Sequence, residues 1–266
     1  MTRIGIIGTE NTRTADLVRL CNRDRRLPMR VTHLWGEGSE EDWRDMAGEV
    51  DGVVVAHRDG SLHYPVARWF LERGVPVFVD KPLTDNLAQA KKLFRTNTPL
   101  GTCSALVLQR SFRAFARAAK DVLFLNVSGP ADLNSPYGGI FFYGIHQVDT
   151  AVELLGTEAL SARLVTNGAQ GLGIINFSGG RVATLNCVAG KAEFHWRACG
   201  EGGILNHLYR PDAERNLGIA KAILRLIRQG EAPASRARML APIAILEALR
   251  KSQRSGREEK VPSFGS

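Results

Sequence analysis

Three short stretches of this 266-residue chain carry side chains able to do chemistry. The first is Gly8-Thr9-Glu10-Asn11-Thr12-Arg13, directly after an apolar run. A dinucleotide loop needs a glycine for the tight turn, a second for close approach of pyrophosphate, and a small third residue where helix meets strand. Gly8 meets the first need, whereas Glu10 and Arg13 occupy the other two positions. A carboxylate beside pyrophosphate is repulsive unless it points away, but the free N–H groups of the following helix still favour an anion. Gly8, Thr9, Glu10 and Asn11 are therefore the candidate phosphate-binding residues. The second stretch is Asp80-Lys81-Pro82, with His57-Arg58-Asp59-Gly60 upstream. Lysine before proline is held in a rigid turn, cis or trans, where its amine can bind a hydroxyl or stabilise an alkoxide. An ordinary surface lysine is the other reading of the same tripeptide. The third is Tyr143-Gly144-Ile145-His146-Gln147-Val148-Asp149. His146 and Asp149, three apart, share one helix face, and histidine titrates near neutrality. A half-buried structural histidine has the same signature.

The elements that must position these residues follow from hydrophobic periodicity. Apolar runs at Arg3–Gly8, Arg30–Trp35, Val50–Ala56, Val75–Val79 and Thr102–Val107 read as strands. Helical patterns fall between them at Ala15–Cys21, His63–Arg73 and Leu87–Phe94. Alternation of this kind implies right-handed crossovers and a parallel sheet covered on both faces. His57 and the Asp80–Pro82 turn then lie at the carboxyl ends of strands, where open α/β sheets bind ligands. Glu37, after the second strand, stands where an acid holds an adenosine ribose, and surface charge is the equal alternative. No arginine follows it at once, which favours NAD over NADP.

Beyond about residue 120 the pattern changes to consecutive strands: Val122–Val127, Ala162–Thr166, Gly171–Phe177, Arg181–Val188, Glu193–Ala198 and Ile204–Tyr209. One helix, Tyr143–Leu155, interrupts them, and Ser178-Gly179-Gly180 marks a hairpin. This half reads as α+β with a mostly antiparallel sheet. Two amphipathic helices close the chain, one carrying Pro242, which must kink it or mark its start. The last dozen residues read as frayed. The expected division is a Rossmann unit over 1–118 and an α+β unit over 119–266, with the final helices packing back on the first.

Composition narrows the function. The chain is 44% hydrophobic and 23% charged, ordinary for a folded protein. Its net charge is +8, yet the arginines are interleaved with acids and no nucleic-acid motif accompanies them. Attraction for anionic small molecules is the better reading, and nucleic acid is not an expected partner. Cys21, Cys103, Cys187 and Cys199 show no metal or redox spacing, so no metal is expected. No apolar run is long enough to span a membrane, and Met1–Gly8 lacks a signal-peptide pattern; a cytoplasmic protein is expected.

In combination, Val50–Ala56 through His63, Gly74–Leu83 with its Asp80-Lys81-Pro82, Gly144–Asp149 followed by Leu154-Leu155-Gly156, and Ala232–Ser252 resemble the glucose–fructose oxidoreductase / inositol dehydrogenase family (Gfo/Idh/MocA). The resemblance implies a Rossmann half, an open antiparallel sheet, sheet-mediated homodimers or larger homo-oligomers, and oxidation of a secondary hydroxyl of a sugar-like substrate by NAD or NADP. It implies that Lys81 orients the reacting hydroxyl and that His146 acts in acid/base catalysis. The chain departs from the pattern at Glu10 and Arg13. It also has Phe142 where many members carry an aspartate four residues before the histidine, so Tyr143 or Tyr137 is left to supply a hydroxyl. The expected site is thus Lys81, His146 and Tyr143 for catalysis, with Gly8, Thr9, Glu10, Asn11, Glu37, His57, Asp80 and Lys81 for the cofactor. A relative without redox activity, working as a lyase, an isomerase, a binding module or a partner subunit, is the alternative. The exposed face of the second sheet is expected to carry Ile174, Ile175, Phe177, Val182 and Leu185, covered by a second copy.

Overall fold

Strands that are apolar at every position must be buried on both faces. Ile4, Ile6 and Ile7, Val53–Val55 and Val77–Val79 are all at most 1% exposed. In the computed structural model, which describes residues 1–37, 39–40 and 42–264, these runs form the middle of a five-stranded parallel sheet. The chain proceeds β1 (Thr2–Ile7), α1 (Thr12–Arg23), β2 (Met29–Trp35), β3 (Gly52–Val55), α2 (His63–Leu71), β4 (Val77–Val79), α3 (Leu87–Leu93) and β5 (Leu100–Gly101). Spatial order is β2-β1-β3-β4-β5, all parallel. The direction of winding reverses between β1 and β3, and the crevice at that point opens beside the α1 N-terminus.

The fifth strand departs from the sequence reading. Only Leu100 and Gly101 pair with β4, and Ala105–Leu108 turns into a short helix, α4. Ser104 is the reason: its hydroxyl accepts the Leu106 N–H at 3.2 Å and caps that helix. Helix α5 (Arg110–Ala118) follows.

The second sheet contains β6 (Val122–Pro130), then α6 (Phe141–Leu155), β7 (Ala159–Asn167), β8 (Gln170–Phe177), β9 (Val182–Val188), β10 (His195–Gly200) and β11 (Gly203–Leu208). Helices α7 (Leu217–Gln229) and α8 (Arg236–Ser255) precede β12 (Glu259–Lys260). Order is β11-β10-β6-β9-β8-β7-β12, antiparallel throughout except β6 beside β9. The chain end is not frayed at Glu259–Lys260, which pair with Ser161 and Ala162 and extend the sheet by one edge strand; residues 265–266 of the same expectation lie outside the described residues. Pro242 lies inside α8, whose start is fixed by the Ser235 cap. Helix α7 returns to pack on β1, β4 and β5, while α8 lies on β7, α6 and α3.

One face of the second sheet packs on α6 and α8, burying Leu125, Val127, Ile175, Phe177, Ala183, Leu185 and Trp196. The expected exposed set is therefore corrected. Ile175, Phe177 and Leu185 face inward, because side chains alternate and neighbours in a strand cannot share a face. The open face carries Ile174 and Val182 with Phe124, which is 58% exposed. A polar ladder of Asn126, Ser128, Thr184 and Asn186 runs through its centre.

Candidate active site

The phosphate-loop segment closes tightly on the neighbouring strand ends. Gly8 has φ +101°, and a Cβ there would sit 2.4 Å from the His57 amide nitrogen, so only glycine fits. Thr9 lies over Gly36, where an added Cβ would meet its Oγ1 at 1.9 Å. Asn11 caps α1 by accepting the Arg13 N–H, and its Nδ2 donates to Ala56 O at 3.1 Å and Asp80 Oδ2 at 2.9 Å. Glu10 turns aside from the helix end: its Oε1 lies 3.1 Å from His57 Nδ1 and accepts the Arg58 N–H at 3.3 Å. Arg13 crosses instead to Asp80 as a short ion pair. The α1 N-terminus is thus flanked by the Arg13–Asp80 ion pair rather than by Glu10.

The Asp80–Pro82 turn leaves β4 through a cis Lys81-Pro82 bond. His63, fully buried, ties this turn to the end of β3, with Nδ1 2.7 Å from Pro82 O and Nε2 2.9 Å from His57 O. Burial pushes the Asp80 carboxyl up, but Arg13, Lys81, His63 and Asn11 outweigh it and hold it below the usual carboxylate range. Burial and Arg13 act against the Lys81 ammonium, partly opposed by Asp80, and bring it down to about 8. An amine so placed exchanges a proton near neutral pH.

The third group is presented by α6. Its first turn breaks at Phe142 and at Tyr143, whose φ is +66°, an uncommon conformation for a bulky side chain. The break swings the Tyr143 ring to 5.5 Å from Lys81 Nζ and 5.9 Å from the His146 ring. Phe142 lies 5.7 Å from the same Nζ. His146 is 5% exposed, and burial, then Lys81 and Arg13, push its imidazolium well below the ordinary range, so the ring is neutral. The face shared by His146 and Asp149 meets Ser104: its Oγ is 2.6 Å from His146 Nδ1, and its N–H donates to Asp149 Oδ2 at 3.1 Å. Arg238 pairs with Asp149 from α8.

Lys81, Tyr143 and His146 line one cavity of about 440 Å³ together with Asn11, Thr12 and Arg13 of the first α1 turn. Tyr137, Phe142, Tyr143, Phe194 and Tyr209 continue it into a second arm of about 850 Å³. Asp80 and His57 stand just behind this lining, while Glu37 is exposed past β2 and contributes nothing to either arm. The sequence reading missed Ser104 and Arg238, which come from distant segments and carry no local motif. His63 it had named only as the start of a helix.

Residues 3–105 match the model of a family described as an oxidoreductase family with an NAD-binding Rossmann fold, GFO_IDH_MocA. The parallel-sheet part of the chain is thus similar to the Gfo/Idh/MocA family. YceM of Salmonella typhimurium, a protein named for a resemblance to oxidoreductases, is 30% identical over 149 residues, which cover 52% of this chain and 47% of YceM. The chain thus matches about half the length of that relative. In three dimensions it resembles scyllo-inositol dehydrogenase of Lactobacillus casei, solved with NAD(H) and scyllo-inositol, at TM-score 0.81 and 16% identity over 99% of this chain and all of that one. Myo-inositol 2-dehydrogenase of Lactobacillus plantarum gives TM-score 0.81 and 14% identity over 98% and 99%. At such identities the likeness is one of fold: a parallel sheet followed by a mixed, mostly antiparallel one.

The residues present fit a dinucleotide. The Gly8 turn is a backbone cradle that a Cβ would fill, Glu10 is turned aside, and Arg13 offers an anion a cation at the α1 N-terminus. Asn11 and Arg13 bridge the crevice to Asp80.

Proposed function

We propose that the protein is an NAD-dependent oxidoreductase that interconverts a secondary hydroxyl and a ketone on a sugar-like or other small polar molecule. The observation that carries this reading is the single cavity shared by the first turn of α1, Lys81 and His146. Gly8, Thr9 and Asn11 with Arg13 would hold the pyrophosphate, and Asp80 the adjoining part of the cofactor. Glu37 and His57, which line neither arm of the cavity, would serve the adenosine end. When bound, NAD supplies the hydride acceptor. The chain's own residues bind the reacting oxygen between Lys81 and His146, move its proton, and close the apolar side with Phe142, Tyr143 and Phe194. The second arm, rimmed by Tyr137, Asp132, Lys191 and Glu193, has the mixed polar and aromatic lining that a polyol takes.

The reading is tested by incubating the protein with NAD and a panel of cyclitols, hexoses and sugar acids while following nicotinamide absorbance. Turnover on one class, abolished by Lys81→Ala, supports it. Saturable NAD binding with no reduction across the panel would favour the non-redox alternative.

Two further properties belong with this proposal. The open sheet face, with Phe124, Ile174 and Val182 around a polar ladder, is of the kind a second copy covers, giving a homodimer or larger homo-oligomer. Among the described residues no helix is long and apolar enough to cross a membrane, and the four cysteines are free, three of them buried. Unpaired thiols suit the reducing cytoplasm, where we place the protein.

A further inference from the structure

The hydroxyl of Ser104 meets the His146 ring at Nδ1, and Ser104, Asp149 and Arg238 line a further cavity of about 400 Å³ that Lys81 also borders. Ser104 is 1% exposed. Its oxygen already accepts the Leu106 N–H at 3.2 Å. Its own proton then needs an acceptor, because a buried unpaired donor costs about 1–3 kcal/mol. Among the described residues the acceptor within reach is His146 Nδ1, at 2.6 Å. The opposite arrangement, with Nδ1–H donating to Ser104, would give the oxygen two incoming donors and leave its proton buried without a partner. Ser104 is itself held firmly, by its N–H to Asp149 and by Arg238 behind that carboxylate.

We infer that Ser104 is a positioning residue that fixes neutral His146 as the Nδ1-acceptor tautomer, so that His146 presents an Nε2–H to the cavity. This deepens the proposed reading and rests on it for its catalytic meaning. A neutral Nε2–H holds the substrate oxygen by donating a hydrogen bond and has no lone pair in the cavity with which to remove a proton. The hydroxyl proton therefore passes to the neutral amine of Lys81, which becomes an ammonium. Hydride leaves the same carbon for the nicotinamide and the C–O bond becomes a carbonyl. In the reverse direction Lys81 returns that proton to the oxygen while His146 polarises the ketone. The two groups thus divide the work, the imidazole binding and the amine exchanging.

The test is spectroscopic and uses the full chain without cofactor or substrate, so its outcome is separable from that of the turnover panel. Long-range proton–nitrogen correlation spectra of histidine-labelled protein near pH 7.5 identify each ring's tautomer, and the His146 signals are assigned by their loss in His146→Gln. The expected result is a protonated Nε2 and an unprotonated Nδ1, whose resonance moves downfield in Ser104→Ala and returns in Ser104→Thr. A protonated Nδ1, an imidazolium, or an Nδ1 resonance unmoved by Ser104→Ala would each overturn the inference. Ser104→Thr keeps both the helix cap and the hydroxyl, so its near-native spectrum separates a lost hydrogen bond from a lost fold.

Discussion

Replacing Lys81 by methionine should make the protein more stable at neutral pH while abolishing turnover. The side chain is half-buried, with Phe142 and Tyr143 within 6 Å of its ammonium. Burial and Arg13, against the pull of Asp80, lower it from 10.5 to about 8. On unfolding the lysine regains its ordinary affinity for a proton. Below pH 8 the native state carries an ammonium it holds poorly. At about 1.4 kcal/mol per tenfold change in proton affinity, the gap amounts to about 3 kcal/mol, or about 2 kcal/mol after allowing for partial exposure. Between pH 8 and 10.5 the unfolded chain binds more protons than the native one, so the penalty fades as pH rises through that window. The methionine variant carries no such proton. Its advantage should be about 2 kcal/mol at pH 7 and nearly gone by pH 10.5, read from paired urea-unfolding curves with equal slopes. A variant less stable than wild type at pH 7, or an advantage that does not change with pH, would refute the electrostatic reasoning.

Other consequences can be checked on the same protein. Glu10→Gly should tighten NAD binding about fivefold, roughly 1 kcal/mol, by removing a partly screened charge near the phosphate site; calorimetry reporting weaker binding would show that Glu10 serves mainly to hold His57 and Arg58. Arg238→Ala leaves Asp149 buried without its cation and should cost about 3–5 kcal/mol in chemical denaturation, whereas a loss below about 1 kcal/mol would mean the pair is solvated. Phe124→Glu on the open sheet face should shift sedimentation toward monomer, and an unchanged oligomer would place the contact elsewhere.

Legibility in the sequence followed the range of the forces involved. The parallel sheet was readable because Val53–Val55 and Val77–Val79 are apolar at every position, and only a strand buried on both faces demands that. Gly156 marked the end of the Tyr143–Leu155 helix for an equally local reason, its positive φ being open to glycine at little cost. The fifth strand was misread because Thr102–Val107 is β-prone by composition, while a single serine cap turns it helical. The open face was misassigned by taking Ile174 and Ile175 together, although the pleat sends them to opposite sides. In the site, Lys81 and His146 were found through motif and order. The interactions that set their chemistry were not, because Arg13 to Asp80, Ser104 to His146 and Arg238 to Asp149 join residues between 42 and 89 positions apart. Tertiary contacts of that span leave no periodic trace.

The central claim, that a dinucleotide lies between the Gly8 turn and the Lys81–His146 pair, is tested most directly by calorimetric titration of NAD into wild type and Gly8→Val. Saturable one-to-one binding to the wild type is predicted, with loss of binding in a variant whose β-carbon would collide with the His57 backbone; circular dichroism checks that this variant remains folded. No heat from NAD or NADP at millimolar concentration, with the wild-type fold intact, would contradict the account and leave the cavity to a different ligand.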